Sequence, residues 1–259
     1  MVFFLRDGLS AAEKERMTAY GADMSKYLDS GNEARIKKAY ESRDPRLQMA
    51  VITPYAQYNG ASSGIAHTYT LRWPYRGSDS AEPFDIRTDT NDKFYYLWRK
   101  FVPEGLEQTE RDTYGLDIPL IRYAEVLLLK AEALNEWGST HESEAIRCVN
   151  EVRRRAGHVE LNNATYPATK VNGQSDLRER IRNEYYWEIG GEDSMYFHEL
   201  RWGTWKDKKF DNNRNGLMQM WGETTYTWYW LGDQCWSWPI PAKEMEMNSN
   251  LEQNEGWIN

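Results

Sequence analysis

Apolar positions recur at intervals of three and four along much of this chain, and residues 117–157 show the pattern most clearly. Leu120, Ile121, Tyr123, Val126, Leu127, Leu128, Ala131 and Leu134 leave almost no polar face. The spacing predicts a helix buried on several sides, with Asp117 as its cap and Pro119 in its first turn. Gly138 stops it, and Ser139 with Glu142 forms a capping box for a second helix. That helix carries Ala145, Ile146, Val149, Val152 and Ala156 on one face and ends at Gly157. The same period predicts a helix after Ser10 and Glu13, bearing Met17, Tyr20, Met24, Tyr27 and Leu28, then a short one through Ile36 and Tyr40 that stops before Pro45. After the Asn172-Gly173 turn, Ser175 or Asp176 caps a helix with Leu177, Ile181, Tyr185 and Ile189 inward, closed by Gly190 and Gly191. A short helix follows with Met195, Tyr196, Phe197 and Leu200.

Strand signals are fewer. Met49, Val51 and Ile52 read as one short strand, and residues 94–98 as another. Tyr226, Trp228 and Trp230 alternate with less bulky neighbours, and Gly232-Asp233 would turn the chain into a returning strand with Trp236 and Trp238 on one face, packed on the helices. Residues 54–82 read as a long loop rich in Gly, Ser, Thr and Tyr, a length that in a compact domain points to function. The fold expected is mainly α: helix pairs carrying long aromatic loops and a few short strands.

Composition narrows the function. The 259 residues suffice for one substantial domain, placed at 1–259 with a helical core about 117–203 and aromatic regions about 54–98 and 217–241. A formal net charge of −8 argues against nucleic acid as the partner. Cys148 and Cys235 are too few for a disulfide scaffold, and Cys148 falls on a helix stripe as a packing thiol. Neither lies near the N-terminus. His67, His141, His158 and His198 are scattered without ligand spacing, so neither metal nor cofactor is called. The 12 Trp and 17 Tyr against 7 Phe favour rings that carry a polar atom, suited to surfaces facing a polar ligand.

Three stretches carry candidate chemistry. Arg72-Trp73-Pro74-Tyr75-Arg76, with Tyr69 just before it, sets planar rings beside guanidinium groups, as stacking on a sugar and binding its hydroxyls would require; the alternative is a loop pinned by its aromatics. Trp221, Tyr226, Trp228 and Trp230 form a second aromatic set facing ligand or partner. Glu184, Glu188 and Glu192, spaced by four, share a helix face and repel unless cations offset them. Arg180, Arg122 and Arg201 are the candidates, and Arg122 with Glu125 is expected to clamp neighbouring elements. The competing use of such carboxylates is glycosidic acid–base catalysis. Arg43 and Asp44 read as a loop clamp.

Ala131 and Ala145, either side of a glycine, resemble the close-contact positions of a tetratricopeptide helix pair. More broadly, RDPRL (43–47), IRYAEVLLLKAEALNE (121–136), CVNEVRRRAG (148–157), the spaced glutamates with Tyr196-Phe197 and Arg201-Trp202-Gly203, and the closing WPIPAKEMEMNSNLEQNEGW (238–257) resemble the SusD/RagB-like proteins in the same order. The resemblance spans the chain but only the C-terminal half or so of that family. It implies an outer-surface lipoprotein of Bacteroidota that binds glycans or other nutrients without catalysis and passes them to a TonB-dependent, SusC-like transporter. It also implies an N-terminal half of the same fold, including a signal peptide and lipidated cysteine, with no counterpart here. The chain departs from the family at Tyr185 and Tyr186, where arginines are usual, and at Asp193-Ser194-Met195, which replaces Gly-x-Arg. Two readings stand beside this one: a glycoside hydrolase using the glutamates, and a tetratricopeptide-type scaffold that binds a protein.

Overall fold

The computed structural model describes residues 40, 43–53, 55–62, 65–71, 84, 97–104, 117–192, 194–210 and 230–257. The chain divides into two compact units, Met1–Met195 and Tyr196–Asn259.

In the first unit, the helix α1 (Pro45–Ala50) starts at Asp44, whose carboxylate accepts from the Arg46 N–H, with proline at the first position where its missing donor costs nothing. Sequence reading placed Met49 in a strand; it lies in α1, and the strand β1 is only Val51–Ile52. β1 pairs antiparallel with β4 (Leu97–Trp98). Between them β2 (Gln57–Ser62) and β3 (Ile65–Thr70) form an antiparallel hairpin, with Tyr58 opposite Tyr69 and Gly60 opposite His67. The expected structureless loop is therefore corrected to a hairpin over this part of its length. Gly60 permits it: a Cβ there would stand 2.9 Å from the Tyr69 ring and 3.0 Å from the Tyr58 ring.

The helical core comprises α2 (Tyr123–Trp137), α3 (Glu142–Arg155) and α4 (Gln174–Ile189). α2 packs on both α3 and α4, and α1 lies against α4. Leu127, Leu128, Ala131 and Leu134 of α2 meet Ala145, Ile146, Val149 and Val152 of α3 and Leu177, Ile181, Tyr185 and Ile189 of α4, all buried. Each such large side chain contributes about 1.5–3 kcal/mol by leaving water. Cys148 is buried, and burial pushes its thiol up, as an inert packing group requires. Side-chain amides fix the joints. Asn135 and Gln174 each donate to the other's carbonyl, tying α2 to the start of α4. Asn150 accepts from the Leu161 N–H and donates to the Leu161 carbonyl, holding the α3–α4 connection.

The borders of these helices depart from expectation in three places. α2 begins at Tyr123 rather than near Pro119, because Arg122 is extended, φ −110° and ψ 151°, and its side chain is committed elsewhere. Leu120, Ile121, Tyr123 and Val126 are exposed, so among the described residues α2 is covered on the side that faces α3 and α4. Ser139 caps no helix: Ser139–His141 is a 3-10 turn leading into α3, and Gly138, at φ 136°, ends α2 as read. α4 likewise starts from Gly173, and the Asp176 carboxylate reaches back to the Asn172 N–H.

The division between the units falls within α5 (Ser194–Arg201); α6 (Trp205–Phe210) and α7 (Ala242–Met247) belong to the second unit. The returning strand expected after Gly232-Asp233 is instead a 3-10 turn, Asp233–Trp236, and Trp238 is exposed rather than packed on helices. Side-chain amides again organise the closing segment. Gln253 exchanges two bonds with the Ile240 backbone, Asn254 donates to the Trp238 carbonyl at 2.6 Å, and the Trp257 indole donates to the Ser237 carbonyl at 2.8 Å. No helix among the described residues is long and apolar enough to cross a membrane.

Candidate functional site

Of the three glutamates expected on one helix face, Glu184 and Glu188 lie one above the other on α4. Glu192 stands past its end because the chain leaves the helix at Gly190 and Gly191, and each of the three is met by cations. Glu184 accepts from Arg46 at 2.7 Å through one oxygen and from Arg153 at 2.9 Å through the other. Glu188 accepts from Arg46 at 3.1 Å, Arg122 at 2.9 Å and Arg155 at 2.5 Å. Glu192 accepts from Arg122 twice at 2.8 Å and from Lys100 at 2.9 Å. Among the described residues the offset for their mutual repulsion thus comes from five cations on four parts of the chain. Of those proposed from sequence, Arg122 is in place. Arg180 instead pairs with Asp176, and Arg201 lies over Trp202 and beside His198 in the other unit. Arg46, Arg153, Arg155 and Lys100 were missed, and Asp44 holds Arg46 from behind through both carboxylate oxygens.

The electrostatics follow from burial. Desolvation pushes the Glu184 carboxyl up against the pull of Arg46 and Arg153. At Glu188 desolvation acts the same way, but Arg122, Arg155 and Arg46 together hold the group below its ordinary value. Asp44 is lowered by Arg46 despite its own burial. Lys100 is lowered by desolvation, and its ammonium also caps the C-terminus of α4 through the carbonyls of Glu188 and Gly190. A glycosidic acid must reach a substrate; Glu184 has no exposed surface and Glu188 3 %. The arrangement is an ionic junction binding α1, β4, α2, α3 and α4.

The second arrangement is aromatic and lies wholly in the second unit. Trp230, Trp236 and Trp205 meet edge to face or tilted, at 5.1–6.3 Å between centroids. Lys206 sits over the Trp230 ring at 5.1 Å and also bonds Asp233 at 3.2 Å, while the Trp230 indole points its N–H at the same carboxylate. The Lys206 hydrogen bond holds the Asp233 carboxyl below its usual value. Indole faces beside one donor and one acceptor suit a ring that is apolar on its face and polar at its rim, as a pyranose is. Sequence reading singled out Trp230 but left Trp236 to packing and passed over Trp205, Lys206 and Asp233. The RWG-x-W spacing before α6 was the available signal.

Of the other proposed ligand residues, Tyr69 is described: its ring is buried over Gly60, edge-on to Phe84 at 5.7 Å and to His67 at 6.1 Å. Arg72, Trp73, Tyr75, Trp221, Tyr226 and Trp228 lie outside the described residues. No group of His, Cys, Asp or Glu among the described residues could hold a metal ion.

Comparison with known proteins agrees with this architecture. The sequence matches the SusD family over residues 9–257. It is 32 % identical over 139 residues to a SusD-like protein, P38, of Formosa agariphila, a match covering 53 % of this chain and 24 % of the relative. It is 28 % identical over 161 residues to the starch-binding protein SusD of Bacteroides thetaiotaomicron, covering 62 % and 25 %. The chain thus spans about a quarter of the length of these relatives. In three dimensions it resembles a SusD-like protein of Bacteroides fragilis with a TM-score of 0.59 at 23 % identity, over 85 % of this chain and 40 % of that one. A Bacteroides thetaiotaomicron SusD homologue gives 0.53 at 22 %, over 89 % and 42 %.

Proposed function

We infer, from the premise that this chain belongs to the SusD family, that it takes part in binding a glycan at the cell surface without transforming it. The ligand then passes to a TonB-dependent, SusC-like transporter in the outer membrane. The observation that carries the reading is the disposal of the acidic residues. The only sequence candidates for hydrolysis, Glu184, Glu188 and Glu192, are consumed by the ionic junction, which leaves recognition to the tryptophans and tyrosines. The starch-binding relative supports the same ligand class.

The contacts proposed are Trp73, Tyr75, Arg72, Trp221, Tyr226, Trp228 and Trp230, the last working with Lys206 and Asp233. Tyr69 positions the hairpin, since its ring is already covered. Stacking aromatics with a few charged hydrogen-bonding partners bind sugars with no cofactor. Affinity electrophoresis and calorimetry across a panel of polysaccharides test this. Binding to at least one glycan is expected, weakened at least tenfold by Trp73→Ala, Trp228→Ala or Trp230→Ala. No retardation by any glycan, or release of sugar from a bound one, would sink the proposal.

A further inference from the structure

We propose that the Lys206–Asp233 pair sets the charge specificity of the tryptophan cluster, selecting neutral sugars against both amino sugars and uronates. The inference rests on the glycan reading above and names the substrate class of that site. Lys206 stands in the first turn of α6, and Asp233 opens the 3-10 turn after Gly232. The Lys206 Nζ lies 3.2 Å from a carboxylate oxygen of Asp233 and 5.1 Å from the centre of the Trp230 ring. The Trp230 indole N–H points at that same oxygen from 3.4 Å, and the Trp236 side chain also bonds the carboxylate. An ammonium over an indole face and beside a carboxylate is the arrangement that captures a cationic ligand. Here the chain supplies the cation itself.

This internal occupancy decides which sugars fit. A protonated amino sugar has to displace Lys206, whose short tether keeps it at an effective concentration on the order of millimolar. A uronate or sulfated sugar meets the opposite obstacle. The Asp233 side chain is 81 % exposed, so its charge faces and repels an incoming anion. The Lys206 hydrogen bond holds that carboxyl below its usual value and so keeps it charged. Lys206 can answer the anion only by leaving Asp233. A neutral sugar disturbs neither charge. An ionised carboxylate has about four acceptor positions, and the three donors already on Asp233 leave room for a sugar hydroxyl. The apolar face of the sugar then lies on Trp236, which is 38 % exposed, because Lys206 takes a face of Trp230. Specificity gained by repelling the wrong ligand needs no tighter grip on the right one.

Calorimetry on the full chain with glycans of three charge classes tests the proposal. The probes are neutral glucans, galactans and mannans, glucosamine polymers with the amine protonated, and polymers of glucuronate and galacturonate. The parent is expected to bind at least one neutral glycan, and every charged one at least tenfold more weakly. Lys206→Met keeps an apolar stem on Trp230 and empties the ammonium position, so it should bind glucosamine polymers at least tenfold more tightly than the parent does. Asp233→Asn keeps an acceptor for the indoles and releases Lys206, so it should gain as much for the uronates. Melting curves of both variants should match the parent's, since the two side chains are 40 % and 81 % exposed. A parent that prefers a charged glycan overturns this inference and leaves the glycan reading standing. So do charge variants that keep the parent's order of preference while Trp230→Ala weakens binding. Binding indifferent to Trp230→Ala places the glycan elsewhere and overturns the inference as well. No binding of any glycan overturns both.

Discussion

Arg46 is the residue on which most of the ionic junction turns. Its guanidinium bonds Asp44, Glu184 and Glu188 at once, and only a bidentate planar cation has donors arranged for that. A pair this deeply buried returns little net stability, because desolvation consumes the Coulombic gain, but removing one partner strands the others. Arg46→Ala is expected to lower stability by about 3–5 kcal/mol, read from denaturant melts. Adding Glu184→Leu to Arg46→Met should recover little of that loss, since the buried Arg153 then loses its carboxylate and Asp44 still lacks its cation. A single variant as stable as the parent would show that the junction is not paired in solution. The acidic half of this junction and one cation, Arg122, are legible in the sequence. The rest was illegible because residues 46 and 184 are related by no local period: what pairs them is the packing of α1 on α4.

At the scale of elements, the helices were read well where one face repeats and badly where chemistry at the ends decides. α3 and α4 bury the very stripes their period predicts. α1 was missed although Asp44-Pro45 is a cap followed by a first-turn proline, because six residues give too little period to outweigh the β-branched pair after them. The hairpin was missed for the opposite reason. Its strands do not alternate: Ile65 and Ala66 are both exposed, and Gly60 is buried. What specifies it is the fit of two tyrosine rings over Gly60, a contact invisible to any hydropathy pattern. Gly60→Val should therefore cost about 1–3 kcal/mol by displacing those rings, visible as a lower melting temperature and a changed tyrosine signal in near-ultraviolet circular dichroism. An unchanged signal would mean the rings are not seated there.

At the scale of the molecule, the junction makes stability depend on pH. Asp44 and Glu188 are held below their ordinary values of 3.8 and 4.5, so the stability they lend is full above those values. It is lost as pH falls through their lower folded values. His158, 3.8 Å from Asp44, is held below 6.5 by its own burial and by Arg153, so the folded chain takes up this proton less readily than the unfolded one. Stability should therefore begin to fall as pH drops below about 6.5 and fall more steeply beneath the carboxylate range. Glu184, pushed upward, binds its proton first in the folded state and offsets part of the loss. Melting temperatures from pH 8 to pH 3 check this, and His158→Gln should remove the earlier part of the slope. The family itself was legible from short motifs taken in order, because the junction, the α2–α3 pair and the closing segment each leave a compact signature. The ligand surface was not, since ring composition says which chemistry is present and nothing of where the rings converge.

The bond from Arg46 to Glu184 joins positions 138 residues apart, whereas α2, α3 and α4 follow one another directly between Tyr123 and Ile189. Closing so long a loop is entropically slow, and its reward comes only once α4 already presents its glutamates. The three-helix layer should therefore assemble first, with α1 and the β1–β4 pair arriving as a later clasp. In pulse-labelling hydrogen exchange, amides of α3 and α4 are expected to gain protection before those of Val51 and Ile52. Simultaneous protection would contradict this order. The last event of folding would then be the electrical closing of a latch rather than the collapse of a core.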